Sequence, residues 1–200
     1  MTIRAVFFDL GGVLVRTEYQ TPRQHLAERL GMEYEDLEKL VFGNPSSLQA
    51  SIGKITTEQH WEAVAQRLRR PMAEAESLRQ AFFAGDVIDH NLLAFIRALR
   101  PRLQTGIISN GWPDLREYII QNRFNDAFDY IIISAEVGVM KPEARIYQIA
   151  LEQAGVSPSE AIFIDDMPVN IQGCQAVGMR GIHFSNPQQA LRELQALLAD

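Results

Sequence analysis

Four short polar segments of this 200-residue chain hold the side chains best suited to chemistry. They are Asp9, the run Ser109-Asn110-Gly111, Lys141 and the pair Asp165-Asp166. Three of them come at the end of a short apolar run that is typical of a buried strand, and Lys141 lies just past another such run. Each segment alone is an ordinary turn or helix-start sequence. Together they would supply three carboxylates, a hydroxyl, an amide and an ammonium group.

This set of groups is suited to phosphoryl chemistry. Carboxylates placed close together repel one another, so a bound divalent cation would keep them ionised. Mg²⁺ is the first choice because all the candidate ligands are hard oxygens. A carboxylate such as Asp9 can attack phosphorus and form an acyl phosphate. Lys141 can neutralise the nucleophile, and Ser109 and Asn110 can donate hydrogen bonds to phosphoryl oxygens.

The elements that must position these groups alternate along the chain. Apolar runs predict strands at 5–8, 103–109, 130–133, 161–164 and 181–184, with amphipathic helices between the last four. Such alternation predicts an α/β fold with a Rossmann-like parallel sheet and helices on both faces. Sheets of this kind bind ligands beyond the carboxyl ends of their strands, where the polar segments lie.

The stretch between the first two predicted strands has a different pattern. It lacks runs of β-branched residues, and Trp61, Val64, Ala65 and Leu68 recur on one helix face. The sequence therefore predicts an all-helical insert. We expect residues 1–15 and 87–200 to form the α/β core domain and residues 16–86 to form a helical cap domain.

Composition narrows the choice of partners and location. The net charge is −6, which argues against nucleic acid as a partner, because binding to phosphate backbones needs clustered Lys and Arg. No segment has the length or character of a membrane span or a signal peptide. The single cysteine, Cys174, excludes an intrachain disulfide. We expect a soluble cytoplasmic protein, a monomer or a homodimer.

The polar segments, in their sequence context, resemble the four motifs of the haloacid dehalogenase superfamily. The matching stretches, in chain order, are Phe8-Asp9-Leu10-Gly11-Gly12-Val13-Leu14, Ile108-Ser109-Asn110-Gly111, Lys141-Pro142-Glu143 with Ile146-Tyr147, and Phe163-Ile164-Asp165-Asp166 with Asn170. The resemblance covers nearly the whole chain, and the insert after the first motif resembles the family's helical cap.

The resemblance implies a role for each matching residue. Asp9 would be the nucleophile and a Mg²⁺ ligand, with the backbone carbonyl of Gly11 and the carboxylate of Asp166 as further ligands. Asp165 would lie close to the ion or replace Asp166 as ligand. Ser109 and Asn110 would bind the phosphoryl group, and Lys141 would hold the nucleophile and the phosphate together.

One position departs from the pattern of the family's phosphatases. They usually carry a second Asp two residues after the nucleophile, which protonates the leaving group, whereas this chain has Gly11. General acid–base help is worth about 10²–10⁴-fold in rate. Glu18, Glu28 and Glu136 are candidate replacement donors. The Asp-Leu-Gly start itself resembles that of some sugar-phosphate phosphatases.

Several nearby residues have open roles on sequence alone. Arg16 and Arg23 follow the first motif and are candidates for contact with a substrate anion or for a surface position. His25 could reach the site from the cap, although a surface or core position is the simpler expectation. Trp112 could form a wall of the pocket or pack internally, and we expect Cys174 to be part of the core.

The sequence therefore predicts a Mg²⁺-dependent phosphatase that acts on a small phosphorylated metabolite. Two alternatives remain. A 2-haloacid dehalogenase also uses an Asp nucleophile, but that branch of the family needs no metal and lacks the paired acids of the fourth motif. A non-catalytic domain that binds Mg²⁺ and phosphate is the other alternative, because the general acid is missing at position 11.

Overall fold

The computed structural model describes residues 2–199. Its central feature is a five-stranded parallel sheet in the order β5-β4-β1-β6-β7. The strands of this sheet are β1 (Ala5–Phe8), β4 (Gln104–Ser109), β5 (Tyr130–Ile133), β6 (Ala161–Asp165) and β7 (Arg180–His183). The predicted parallel α/β core is confirmed, and each strand lies within one residue of its predicted bounds.

The apolar sequence of β1 explains its central place in the sheet. All four of its residues are buried. Val6 and Phe8 belong to the apolar cluster on one face of the sheet, and Ala5 and Phe7 belong to the cluster on the other. A strand that is buried on both faces has no need of alternating polar residues.

Helices cover both faces of this sheet and fill the insert. Within residues 2–199 they are α1 (Thr21–Leu30), α2 (Tyr34–Phe42), α3 (Pro45–Ser51), α4 (Thr57–Arg67), α5 (Ala75–Phe83), α6 (His90–Leu99), α7 (Leu115–Gln121), α8 (Ser134–Val137), α9 (Ala144–Ala154), α10 (Pro168–Val177) and α11 (Pro187–Ala199). Short 3₁₀ helices span Met72–Glu74, Asn125–Ala127 and Pro158–Glu160.

The insert consists of α1 to α5 and has an apolar cluster of its own, centred on Trp61, Val64 and Phe82. We call these five helices the cap. At the start of α4, the Thr56 side chain accepts a hydrogen bond from Gln59 N–H, and Gln59 Oε1 accepts one from Thr56 N–H. These two bonds form a full capping box, which satisfies backbone donors at the start of α4.

The prediction that the insert is helical throughout was wrong at its two ends. Val15–Thr17 (β2) and Asp86–Ile88 (β3) pair as a short antiparallel ribbon. The ribbon connects the cap to the core, and each of its strands has only three residues. Such a short strand carries almost no periodic signal, and its partner is distant in sequence.

Candidate active site

The carboxyl ends of β1, β4 and β6 place the predicted polar residues at one edge of the sheet. Asp9 follows β1, Ser109 ends β4, and Asp165 ends β6. β1 lies between β4 and β6, where successive connections run to opposite sides of the sheet, and doubly wound folds bind ligands at this point. Asp9, Asp165 and Asp166 each offer a carboxylate oxygen within 4.8 Å of the others.

Lys141 lies at the centre of this cluster. Its ammonium Nζ is 2.7 Å from Asp9 Oδ1 and 2.7 Å from Asp165 Oδ2, and the Lys141 side chain is only 1% exposed. Burial raises the pKa of Asp9, the Lys141 charge lowers it, and the Asp165 charge raises it again, so that the net direction is upward. One ammonium between two buried carboxylates leaves an excess negative charge, which a cation would balance.

The two acids at the end of β6 have different surroundings. Asp165 is completely buried, and its carboxylate accepts hydrogen bonds from Lys141 Nζ, Met167 N–H and Asn170 Nδ2. Asp166 is only partly buried, and no side-chain hydrogen bond or ion pair joins it to another residue within 2–199. Burial and the neighbouring Asp165 charge raise the pKa of Asp166. Asp166 therefore has the more available carboxylate oxygens.

The two adjacent glycines after Asp9 differ in how much space surrounds them. Gly12 has φ +78°, and a Cβ built there would lie 2.3 Å from Asp166 Oδ2, so only glycine allows the loop to approach Asp166 this closely. A Cβ built at Gly11 would meet no heavy atom of residues 2–199 within 4 Å. The backbone of this loop is thus close to Asp166, and position 11 has room for a side chain.

The side chain of Asn110, directly after β4, contacts the backbone of Lys141. Its Nδ2 donates to the Lys141 carbonyl at 3.0 Å, and its Oδ1 accepts from the Lys141 N–H at 2.8 Å. The carboxamide therefore bonds the Lys141 backbone, and the expected contact of this side chain with a phosphoryl group stays a prediction. Ser109 is buried beside it at the end of β4.

Ser134 is a residue that sequence reasoning missed. It is completely buried directly after β5, and its Oγ accepts a hydrogen bond from Gly111 N–H at 3.0 Å. The rule that found the other site residues, a polar residue at the carboxyl end of a strand, also selects Ser134. It was overlooked because it begins a helix of only four residues.

The arginines near the first motif stabilise the fold. Arg23 is buried, with its guanidinium paired to Glu38 and Asp86 and stacked 3.9 Å from the Phe82 ring centroid. Arg16 donates to Asp89 and to the Val13 carbonyl, which fixes the ribbon to the core. Neither arginine has an uncommitted guanidinium for a substrate anion, so the hypothesis of an anion contact is not supported.

The candidate replacement acids are also engaged elsewhere or exposed. Glu18 bonds to Arg16, and Glu136 forms a bidentate pair with Arg116. Glu28 and His25 are exposed on α1. Trp112 packs against the apolar cluster of the cap, and Cys174 is completely buried, as expected of a core residue.

Comparisons with known proteins agree with this geometry. The family model described as haloacid dehalogenase-like hydrolase matches residues 3–178. The protein belongs to this family of hydrolases. Among the described residues, none of the helices combines the length and the apolar character that crossing a membrane requires.

Two curated relatives match over 98% of the chain. A bifunctional epoxide hydrolase 2 from Rattus norvegicus is 30% identical, and the match covers 39% of that relative. A sesquiterpene phosphatase from Aspergillus oryzae is 28% identical, and the match covers 97% of it. The chain thus spans well under half the length of the first of these relatives and nearly all of the second.

Solved structures with the same fold include two enzymes. A HAD family enzyme from Bacteroides thetaiotaomicron, in complex with magnesium and inorganic phosphate, aligns with TM-score 0.76 and 23% identity over 90% of this chain and 93% of that one. An L-2-haloacid dehalogenase from Xanthobacter autotrophicus aligns with TM-score 0.70 and 23% identity over 98% of this chain and 83% of that one.

Proposed function

We propose that this hydrolase is a Mg²⁺-dependent phosphatase that removes the phosphoryl group from a small phosphorylated metabolite, with sugar phosphates as the first class to test. The observation that carries the proposal is the pairing of buried Asp9 with Lys141 beside the available carboxylate of Asp166. The site thus combines a nucleophile in Asp9, a cation in Lys141 and a second acid in Asp166. These three groups suit the transfer of a dianionic phosphoryl group.

The residues present fit a magnesium ion. Asp9 and Asp166 offer hard carboxylate oxygens, and the backbone of the loop approaches Asp166 closely at Gly12. We assign Asp9, Gly11 and Asp166 as the ligands and Asp165 as the residue that orients Lys141. Bound Mg²⁺ would balance the excess negative charge and polarise a phosphoryl oxygen.

Asp9 performs the bond-making step in this proposal. Its Oδ1 accepts a hydrogen bond from Leu10 N–H and forms an ion pair with Lys141 Nζ, and these two contacts hold the carboxylate in one orientation. A carboxylate oxygen attacks phosphorus, the ester P–O bond breaks, and the leaving oxygen takes a proton from water. Water then attacks the aspartyl phosphate, which releases inorganic phosphate and restores Asp9.

The remaining residues bind and orient. Lys141 neutralises charge on Asp9 and on the phosphoryl oxygens, and the Ser109 hydroxyl donates to one of those oxygens. The carboxamide of Asn110 holds Lys141, so we assign any contact of Asn110 with the phosphoryl group to its backbone N–H. The space beside Gly11 holds no acid, so the leaving group receives its proton less efficiently.

The proposal also covers the organisation and setting of the protein. We propose a core domain of residues 1–15 and 87–200 and a cap of residues 16–86, with the ribbon crossing both boundaries. A free, buried Cys174 is compatible with work in a reducing cytoplasm. The partner is a small molecule, and a monomer or a homodimer would each suffice for the site.

The test is phosphate release from a panel of sugar phosphates, nucleotides and small organic phosphates. We expect release that requires Mg²⁺ and is lost in Asp9→Asn, because an amide cannot act as the nucleophile. Asp36→Asn, an exposed acid on α2, is the matched control and should retain activity. Near-normal turnover by Asp9→Asn would exclude Asp9 as the nucleophile.

The same preparations separate the alternatives. Halide release from a 2-haloacid in excess chelator would favour the dehalogenase, whose solved relative shares the fold. Binding of Mg²⁺ without release of phosphate from any compound would favour a domain that binds without turnover.

A further inference from the structure

The loop Asn110–Asp114 after β4 is bonded at its first residues to the catalytic edge of the core. The Asn110 carboxamide makes two hydrogen bonds with the Lys141 backbone, at 3.0 and 2.8 Å. Gly111 N–H donates to the buried Ser134 Oγ. The start of the loop is therefore fixed to the segment that carries Lys141.

The last residue of the same loop is bonded to the cap. Asp114 Oδ1 accepts a hydrogen bond from Thr57 Oγ1 at 2.6 Å, and Asp114 Oδ2 forms an ion pair with Arg79. Thr57 begins α4 and Arg79 lies on α5, so one carboxylate of the core holds two cap helices. A charge-assisted pair of this kind is stronger than a neutral hydrogen bond.

Trp112 adds an apolar contact between these two ends. Its ring centroid is 4.4 Å from that of His60, and it stacks on Phe42 at 6.0 Å. It also meets Trp61 and Phe83 edge-on. Trp112 is thus a core residue whose side chain is packed among cap residues.

We infer that the loop Asn110–Asp114 couples the position of the cap to Lys141, and that Asp114 is the positioning residue that makes the coupling. The contacts run from Thr57 and Arg79 to Asp114, along five residues of chain to Asn110, and from Asn110 to Lys141. Lys141 Nζ then contacts Asp9 at 2.7 Å. When the cap leaves Asp114, the loop loses its anchor, and Asn110 holds Lys141 less firmly.

The meaning of this coupling for turnover rests on the proposed phosphatase function. In that reaction, Lys141 balances the charge of Asp9 less completely when the cap is not seated, because Asp165 alone then orients it. The site would then be fully assembled only when the cap covers it, as in the closure steps of other enzymes.

Hydrogen exchange of the Lys141 amide, followed by NMR, tests the coupling without turnover. This N–H donates to the Asn110 side chain, so its protection reports on the Asn110 contact. In Asp114→Ala we expect exchange at Lys141 to be at least about tenfold faster, because the loop opens more often. Thr105 N–H, which donates to Asp129 elsewhere on the core, is the internal control and should be unchanged.

Asp126→Asn is the matched control variant. Asp126 also pairs with an arginine, Arg97, but both residues belong to the core and lie outside the loop. It should leave exchange at Lys141 within about twofold of the wild type, since local openings are largely independent between distant sites. Should Asp114→Ala fail to fold, Arg79→Gln and Thr57→Val remove the same contacts from the cap side.

Cap amides that exchange faster while Lys141 is unaffected would overturn the inference. The activity arm uses p-nitrophenyl phosphate with Mg²⁺. In this assay, Asp114→Ala should lower kcat about tenfold. The loss of kcat in the double variant with Asn110→Ala should differ from the sum of the two single losses in free energy, as is found for coupled residues. Additive losses would count against the coupling. Absence of phosphate release by the wild-type protein would count against the proposed function alone, because hydrogen exchange reads the coupling separately.

Discussion

Asp165 and Asp166 are chemically identical neighbours that have different surroundings. The Asp165 carboxylate is buried and accepts bonds from three donors, whereas the Asp166 carboxylate is partly open and unbonded among the described residues. A carboxylate whose lone pairs are already used is a poor metal ligand. We therefore expect hydrogen bonding, and not residue type, to decide which of the two acids binds a metal ion.

Gly11→Asp tests the missing acid at the scale of a single residue. The space beside Gly11 accommodates a side chain without backbone strain. An acid there can protonate a leaving alkoxide, so we expect turnover of sugar phosphates to rise at least about tenfold, part of the 10²–10⁴-fold that such catalysis provides. Turnover of p-nitrophenyl phosphate, which has a good leaving group, should change less. Steady-state kinetics on both substrates measure the difference.

Gly11→Asn is the control for that substitution, since asparagine has the same shape as aspartic acid and no acidic proton to transfer. Equal rates in the Asp and Asn variants would show that position 11 acts through packing or metal geometry and not through proton transfer.

The polar residues at strand ends were predictable at this scale, but their hydrogen-bond partners were not. Asp9, Lys141 and Asp165 follow from strand pattern and chemistry, because parallel strands end at one edge. That the Asn110 carboxamide turns toward Lys141 depends on how two loops meet in space, and residues 31 positions apart carry no mark of it in the sequence.

Secondary-structure elements were predictable where their patterns are long. The strands of the core lie close to their predicted bounds, and amphipathic helices lie between the last four of them as predicted, because burial on one or both faces sets their residue types. The ribbon of Val15–Thr17 and Asp86–Ile88 was missed, since its residues become a strand only through pairing with a distant partner. Tertiary contact decides such short elements.

His60, on α4, gives a prediction about the stability of the cap. It is completely buried, with Nδ1 2.8 Å from Ser46 Oγ and Nε2 unpaired among the described residues. Burial lowers the pKa of His60 to about 4, from 6.5 in an exposed chain. Between pH 6.5 and pH 4, His60 is protonated in the unfolded chain but stays neutral in the folded protein. The free energy of unfolding therefore falls by up to about 3 kcal/mol as the pH is lowered through this range.

Urea unfolding between pH 7 and pH 4 measures this loss. His60→Gln should unfold with a shallower dependence on pH than the wild type, whereas His25→Gln, an exposed position on α1, should match it. Parallel pH curves for the wild type and His60→Gln would rule out buried His60 as a source of acid sensitivity.

At the scale of the whole molecule, the order of motifs along the chain predicted both the sheet and the family. Doubly wound topology leaves few ways to arrange strands that alternate with helices. The positions of the polar residues at the strand ends were therefore enough to predict the parallel sheet and where the site lies on it. The seating of the cap on the core was beyond that reasoning. It depends on Trp112 and on Asp114, which gave no motif of their own.

The rate at which the Cys174 thiol is labelled reports how often the whole molecule unfolds. It is the single thiol, completely buried, and burial raises its pKa to about 12, with the Asp165 charge acting in the same direction. At pH 8 we expect iodoacetamide to label the native protein at least about 10³-fold more slowly than the urea-unfolded chain, since the native state is that strongly favoured. Mass spectrometry of the labelled fraction over time gives both rates. Rapid labelling of the folded protein would mean that α10 opens by itself.

The central position of β1 has a consequence for the growing chain on the ribosome. β1 is synthesised before the two strands with which it pairs. Ala5 pairs with Gln104 of β4 on one side and with Ala161 of β6 on the other. The apolar β1 therefore stays unpaired until β4 and β6 are synthesised. The contacts within the cap are local in sequence, so they can form as soon as the cap helices leave the ribosome. The cap would then be a finished unit before the core that it covers exists.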